Sequence, residues 1–255
     1  MPYLPGRERK KKKGDEKIVQ GDIDVDKLTK AYGDLAELHR QVRESHIEMI
    51  LNLAIAAEYK DPDTGNHILR ISDYAVEIAK ALRLPDEEIE FLRYASPMHD
   101  IGKIGIPDKI LQKPGKLTPA EWEIMKAHTL IGARMFQSSK SLLLKAAAQI
   151  AISHHERFDG GGYPHGLREE AIPLFGRIVA LVDVFDAMVS TRCYKTKSPF
   201  DEGMQYVKTL AGNHLDPMLV NLFLKKEKDI RKVYNANTTI QQFVKEFKTK
   251  DLELL

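Results

Sequence analysis

Cysteine is almost absent from this 255-residue chain, with Cys193 the single one. One thiol cannot build a disulfide framework within the chain, and it excludes thiolate-rich zinc and iron–sulfur sites. Long apolar runs are missing as well. None approaches the roughly 20 residues that a membrane span requires, and no apolar segment follows the basic N-terminus as a secretory leader would need. Net charge is close to nil, at +2, with charged residues at 30% and apolar ones at 43%. That balance argues against nucleic acid as the main partner and against disorder over the whole length. The expectation is a cytoplasmic, soluble chain with no stable membrane association, long enough for one sizeable domain plus appendages.

Strand signals are also lacking. No segment sustains period-two alternation with β-branched enrichment, and the one candidate, Ile178 to Val182, runs into Asp183–Met188 at helical spacing. The pattern therefore predicts an all-α fold. Residues 1–26 read as a basic, disordered tail, with six cations between Arg7 and Lys13; attraction to an acidic partner or membrane surface is the functional alternative. From Lys27 to Tyr59, Leu28, Ala31, Leu35, Leu38 and Val42 recur at spacings of three and four, with Ser45 and Met49 continuing the register. That is a short coiled-coil seam, or else a helix packed on its own domain. Ile68, Ile71, Ala75, Ile78, Ala79 and Leu82 stripe a second helix. Thr118-Pro119-Ala120-Glu121 carries the cap, first-turn proline and capping-box glutamate of a helix start, and Asp216-Pro217 opens another. Thr239 to Phe247 has the pattern of one more amphipathic helix (Ile240, Phe243, Val244, Phe247).

What the chain does hold is a dispersed set of imidazoles and carboxylates: His67, His99-Asp100, His128, His154-His155, and Asp183 with Asp186. Singly, each has a bland reading. His128, in line with Ile124, Ile131 and Met135, could be a satisfied core residue, and His67 likewise. Helical neighbours diverge by about 100°, so His154 and His155 rarely both point inward without a common purpose. Asp183 and Asp186 share one face of an apolar helix, where unpaired carboxylates are unfavourable. Taken together, imidazole and carboxylate without thiol suit iron, manganese or zinc in octahedral or mixed geometry. An aspartate can bridge two metals about 3.5–4 Å apart, and Asp100, beside His99, is the best placed to do so. Such a pair turns bound water into hydroxide and holds a phosphoryl group, while Lys103 neutralises its charge. The chemistry indicated is metal-assisted phosphoester hydrolysis.

The motifs HDIGK at 99–103 and HHERFDGGGYPHGL at 154–167, in this order, resemble the HD-GYP domain, a subgroup of the HD superfamily of metal-dependent phosphohydrolases. The match runs over residues 44–224, leaving 225–255 as a C-terminal helical extension and 27–59 as an N-terminal helix through which two copies could pair. The resemblance implies a helical bundle around a two-metal centre of iron or manganese, with zinc less suited. It implies hydrolysis of cyclic di-GMP to pGpG and in many members onward to GMP. It assigns His67, His99, Asp100, His128, His154, His155 and Asp183 as metal ligands and Asp100 and Lys103 as the catalytic pair. On the substrate side it places Lys103, Tyr163, Asp186, Arg192 and Lys195. Asp186 has a second option there, orienting a water or a metal-bound histidine. Gly160, Gly161 and Gly162 let the GYP loop approach closely. Three positions depart from the family pattern: Cys193 stands for proline, Leu215 for phenylalanine, and Asp63 where some members use glutamate to hold a third metal. Two further readings stay open, another cyclic dinucleotide such as 3′,3′-cGAMP as substrate, and a binding module that senses the nucleotide. Residues 1–43 are too few for a preceding receiver or sensor domain, so the expectation is a stand-alone enzyme or one coupled through its N-terminal helix.

Overall fold

The structure is a computed structural model that describes residues 24–58, 60, 67–190 and 198–236. Every regular element among these residues is helical: α1 (Val25–Glu58), α2 (His67–Ala81), α3 (Asp86–Ala95), α4 (Asp108–Leu111), α5 (Pro119–Phe136), α6 (Leu142–Ser153), α7 (Leu174–Val189), α8 (Phe200–Thr209), α9 (Pro217–Lys225) and α10 (Glu227–Asn235), with short 3₁₀ turns at Ser96–Met98, Ile101–Gly105 and Glu169–Ala171. The all-α expectation holds, and Ile178–Val182 lies inside α7. The chain divides into two compact units, residues 1–41 and 42–255. The described part of the first is the N-terminal half of α1, whose Leu28, Leu35 and Leu38 are exposed. The segment 239–247 and the tail before residue 24 lie outside the described residues.

Two helices form the centre of the second unit. In α2, Ile68, Leu69, Ile71, Tyr74, Ala75, Val76, Ile78 and Ala79 are all buried, and in α7 the buried run includes Ile178, Val179, Leu181, Val182, Phe185 and Val189. A helix apolar on nearly all sides must sit inside the core. Phe185 anchors it, with ring centroids 5.4 Å from Tyr74, 5.5 Å from Phe200 and 4.9 Å from Phe223. Removing so buried a ring costs about 3–5 kcal/mol in comparable cores. Because α2 opens with His67 and α7 carries Asp183 and Asp186, the best-packed part of the protein is also the scaffold of the ligand set.

The capping signals are realised. Thr118 Oγ1 accepts from the Glu121 N–H while Glu121 accepts from the Thr118 N–H, and Asp216 accepts from the amides of Met218 and Leu219. The apolar stripe through His128 is a correction. Ile124 and Met135 are 44% and 50% exposed, and α5 instead buries His128, Thr129 and Gly132. The reason is close backbone approach. A Cβ on Gly102 would stand 1.9 Å from the His128 carbonyl oxygen and 2.5 Å from the Gly132 nitrogen. The glycine of HDIGK thus lets the turn bearing Asp100 lie directly against α5, and large side chains are pushed to that helix's outer side.

Candidate metal centre

Three of the five ligand histidines are held from behind in the same manner. His99 Nδ1 lies 2.9 Å from the Ser96 carbonyl oxygen, His128 Nδ1 2.8 Å from that of Met125, and His154 Nδ1 3.1 Å from those of Ile150 and Ala151. A carbonyl oxygen only accepts, so Nδ1 carries the proton in each, and the lone pair is left on Nε2. His67 Nδ1 faces a carboxylate instead, Asp186 Oδ2 at 2.6 Å. This is the way metal-binding imidazoles are oriented by a second partner. His154 and His155 converge because α6 ends at Ser153, so that His154 is its C-cap and His155 has left the helix. Their ring centroids are 4.0 Å apart.

The freed Nε2 atoms meet at Asp100. Its Oδ1 lies 3.2 Å from His128 Nε2 and 3.5 Å from His154 Nε2, and its Oδ2 lies 3.4 Å from His99 Nε2 and 2.8 Å from Lys103 Nζ. His67 Nε2 stands 3.4 Å from Asp183 Oδ1. The donor atoms fall into two groups, Asp100 with His128, His154 and His155, and His67 with His99 and Asp183, each with its atoms within 4.8 Å of one another. Asp100 reaches toward both, through Oδ1 to the first and Oδ2 to His99 of the second.

Buried as they are, His99 Nε2, His128 Nε2, His154 Nε2 and Asp100 Oδ1 have no hydrogen-bond partner. Four orphaned polar atoms shared between the two donor groups would cost several kcal/mol if nothing partnered them. A divalent cation in each group would satisfy them all, and nitrogen and oxygen donors without sulfur are the set such ions take. Without metal the cluster's charges are strongly perturbed. Burial opposes ionisation of Asp100, yet Lys103 and the neighbouring imidazoles hold it well below the usual carboxylate range. Burial likewise opposes charge on His67, but the carboxylates of Asp183 and Asp186 push it up to about 10. His155 goes the other way, held well below its ordinary value by burial and by His154.

A cleft of about 300 Å³ opens onto these atoms, lined by Glu58, Lys103, Leu111, Leu117, Trp122, Met125 and Tyr163 together with His67, Asp100, His128, His155 and Asp183. Tyr163, of the GYP loop, lies with its ring 4.8 Å from that of His155. The loop is tied down by Glu156, the third residue of HHE, whose carboxylate accepts from the amides of His165 and Leu167 at 2.7 and 3.0 Å. Gly162 has no room for a side chain, since a Cβ there would stand 2.3 Å from the Arg157 nitrogen.

Asp186 departs from its substrate-side assignment. It is fully buried and does not line the cleft. It faces His67 and receives Arg70, whose Nε donates to Oδ1 at 2.7 Å and Nη2 to Oδ2 at 2.9 Å. Its second option, orientation of a histidine, is the geometry observed. Asp63, Arg192, Cys193 and Lys195 lie outside the described residues. Four contributors went unread in the sequence: Glu58, Arg70, Trp122 and Glu156. Only Glu156, next to the histidine pair, had a local signal. Glu58 is buried, and burial raises its carboxyl above the usual range.

A family model described as the HD domain matches residues 30–219. A Thermotoga maritima protein named cyclic di-GMP phosphodiesterase is 45% identical over 198 residues, which are 78% of this chain and 54% of that protein. A Vibrio cholerae protein named 3′3′-cGAMP-specific phosphodiesterase 2 is 41% identical over 184 residues, 72% of this chain and 35% of its own length. The chain thus spans about half or less of the relatives it matches. Among solved structures, a cyclic GMP-AMP specific phosphodiesterase of V. cholerae superposes with a TM-score of 0.53 at 21% identity, covering 82% of this chain and 52% of that one. That likeness speaks for the helical fold. No described helix is long and apolar enough to cross a membrane. With the HDIGK and GYP motifs on the cleft and the family model spanning most of its length, the chain belongs to the HD domain family, in its HD-GYP group.

Proposed function

We propose that this chain hydrolyses cyclic di-GMP to linear pGpG, and onward to GMP, at a two-metal centre of iron or manganese. The observation that carries the reading is the pair of donor groups joined by Asp100 at the floor of a cleft that also holds Lys103 and Tyr163. In this reading residues 44–224 form the hydrolase domain. His67, His99 and Asp183 would hold one metal and His128, His154 and His155 the other, with Asp100, whose oxygens face both groups, as a shared ligand. Bound there, the metals would supply Lewis acidity toward the phosphoryl group and a lowered pKa for water.

Hydrolysis joins a water oxygen to phosphorus, breaks the P–O3′ bond and delivers a proton to the 3′ oxygen. Lys103 is the cation that meets the phosphoryl oxygens, and Arg192 and Lys195 supply further positive charge. Tyr163 walls the cleft beside His155. The names of the relatives support a cyclic dinucleotide as substrate, and that of the V. cholerae 3′3′-cGAMP-specific phosphodiesterase 2 supports 3′,3′-cGAMP as the second reading. A second copy of the chain pairs through α1, whose Leu28, Leu35, Leu38, Val42 and Met49 stand exposed at heptad spacing. Full-length protein loaded anaerobically with iron or manganese should turn over cyclic di-GMP faster than 3′,3′-cGAMP. The reverse order would favour the second reading. Tight binding without turnover of either would leave only a sensor and refute the hydrolase.

A further inference from the structure

Trp122 is the chain's single tryptophan, and its position in the cleft has no catalytic explanation. It sits on the first turns of α5, four residues after the Thr118 cap. Leu117, just before the cap, and Trp122 occupy the positions where an apolar pair commonly staples a helix start. A staple asks only for apolar contact, which leucine or methionine supplies. Here the indole is 45% exposed, so nearly half of the largest apolar side chain is left in water at the rim of the pocket.

Its surroundings resemble a recognition surface. The Trp122 ring stands edge-on to Tyr163, with centroids 6.0 Å apart and planes at 79°. Tyr163 in turn borders His155. The series runs from the metal-ligand candidates out to the solvent-exposed indole, with Leu111, Leu117 and Met125 completing an apolar wall. The platform is rigid. The capping box fixes the helix start, and Lys113 Nζ holds Glu121, the residue before Trp122, at 2.6 Å. Along α5, Trp122 and His128 are separated by an axial rise of about 9 Å, roughly one nucleoside from a phosphate held at Asp100.

We propose that Trp122 is a nucleobase-binding residue: a purine of the substrate stacks on its exposed indole face, with Tyr163 edge-on behind it, while the adjoining phosphate sits at Asp100 and Lys103. The inference rests on the cyclic-dinucleotide reading given above. It adds the element that distinguishes a nucleotide diester from any other phosphodiester, which the metal cluster alone does not provide. Aromatic stacking is tolerant of which base is presented, so Trp122 selects for a flat base while other groups choose among purines.

As the only indole, Trp122 also reports on its own occupancy. On the full-length metal-loaded chain, GMP and cyclic di-GMP should quench the tryptophan emission saturably, and ribose 5-phosphate should not. W122A should raise KM for cyclic di-GMP roughly tenfold or more, the usual worth of a lost base stack, and W122F should restore most of it. Equal KM in the wild type, W122A and W122F would overturn the proposal, as would quenching by ribose 5-phosphate equal to that by GMP. Failure of the wild type on every cyclic dinucleotide would sink the functional reading separately. The GMP titration then still decides this proposal: saturable quenching supports a base site at Trp122, and none refutes it.

Discussion

Adding one methyl group at Gly102 should empty the metal centre while leaving the protein folded. The new Cβ would meet the His128 carbonyl oxygen at 1.9 Å, the Gly132 nitrogen at 2.5 Å and the His128 carbonyl carbon at 2.8 Å. Ordinary contacts at such atoms begin near ~3.4 Å, so α5 must retreat from the Asp100 turn by on the order of 1.5 Å, since backbone cannot swing aside as a side chain does. His128 rides on that helix, and its Nε2 now lies 3.2 Å from Asp100 Oδ1. Metal ligands tolerate only about ±0.2 Å, so the shift removes His128 from the set. Overpacking of this kind costs about 1–3 kcal/mol, or roughly 2–12 °C in Tm for a domain of this size. The assay is metal content per chain by mass spectrometry beside a thermal melt. Gly33, within α1 and with nothing within 4 Å of its Cβ position, is the control. G33A should hold full metal and gain up to about 1 kcal/mol from helix propensity. A fully loaded G102A with an unshifted melt would refute the reasoning.

Three further outcomes follow from the same geometry. Asp100→Ala should abolish turnover and lower metal content at both positions, because its oxygens face both donor groups; a variant that keeps two metals and its rate contradicts the bridging role. In the metal-free chain His67 holds its proton up to about pH 10. Metal binding must displace that proton, so affinity should rise about tenfold per pH unit per proton released, and adding manganese at pH 8 should release at least one. By the same linkage, the stability His67 lends the metal-free fold is complete below the ordinary histidine value near ~6.5 and is lost as pH rises toward its folded value. A metal-free melt flat from pH 7 to 10 would contradict this. Glu156→Ala leaves the amides of His165 and Leu167 without their acceptor, at a cost of about 1–3 kcal/mol each if they stay buried. It should raise KM by loosening the Tyr163 loop while metal content stays at the wild-type level. Loss of metal in that variant would show that the loop does more than shape the cleft.

The ligand set was legible because its members have no packing reason to exist. A histidine beside an aspartate, and two histidines in a row, defy the helical period that places core residues, and the structure brings all seven ligand candidates together. The helix starts at Thr118 and Asp216 were legible because capping is local chemistry, complete within four residues. The face of α5 was not. Periodicity follows large apolar side chains, and α5 is buried through its small ones, with Gly132 against Gly102. Arg70 escaped notice for a different reason: its partner Asp186 is 116 residues away in the chain, a pairing that only the fold creates. Asp186 itself was placed on the substrate side because sequence shows that it neighbours the ligands and not which way it faces. Trp122 was hidden in its own motif, since a tryptophan after a capping box reads as a staple until its exposure in the cleft is seen.

Anomalous diffraction from crystals loaded with manganese under anaerobic conditions tests the two-metal centre most directly. Two peaks about 3.5–4 Å apart are expected, one beside His67, His99 and Asp183, the other beside His128, His154 and His155, with Asp100 between them. A single peak, or peaks that leave the buried Nε2 atoms of these histidines without a partner, would contradict it.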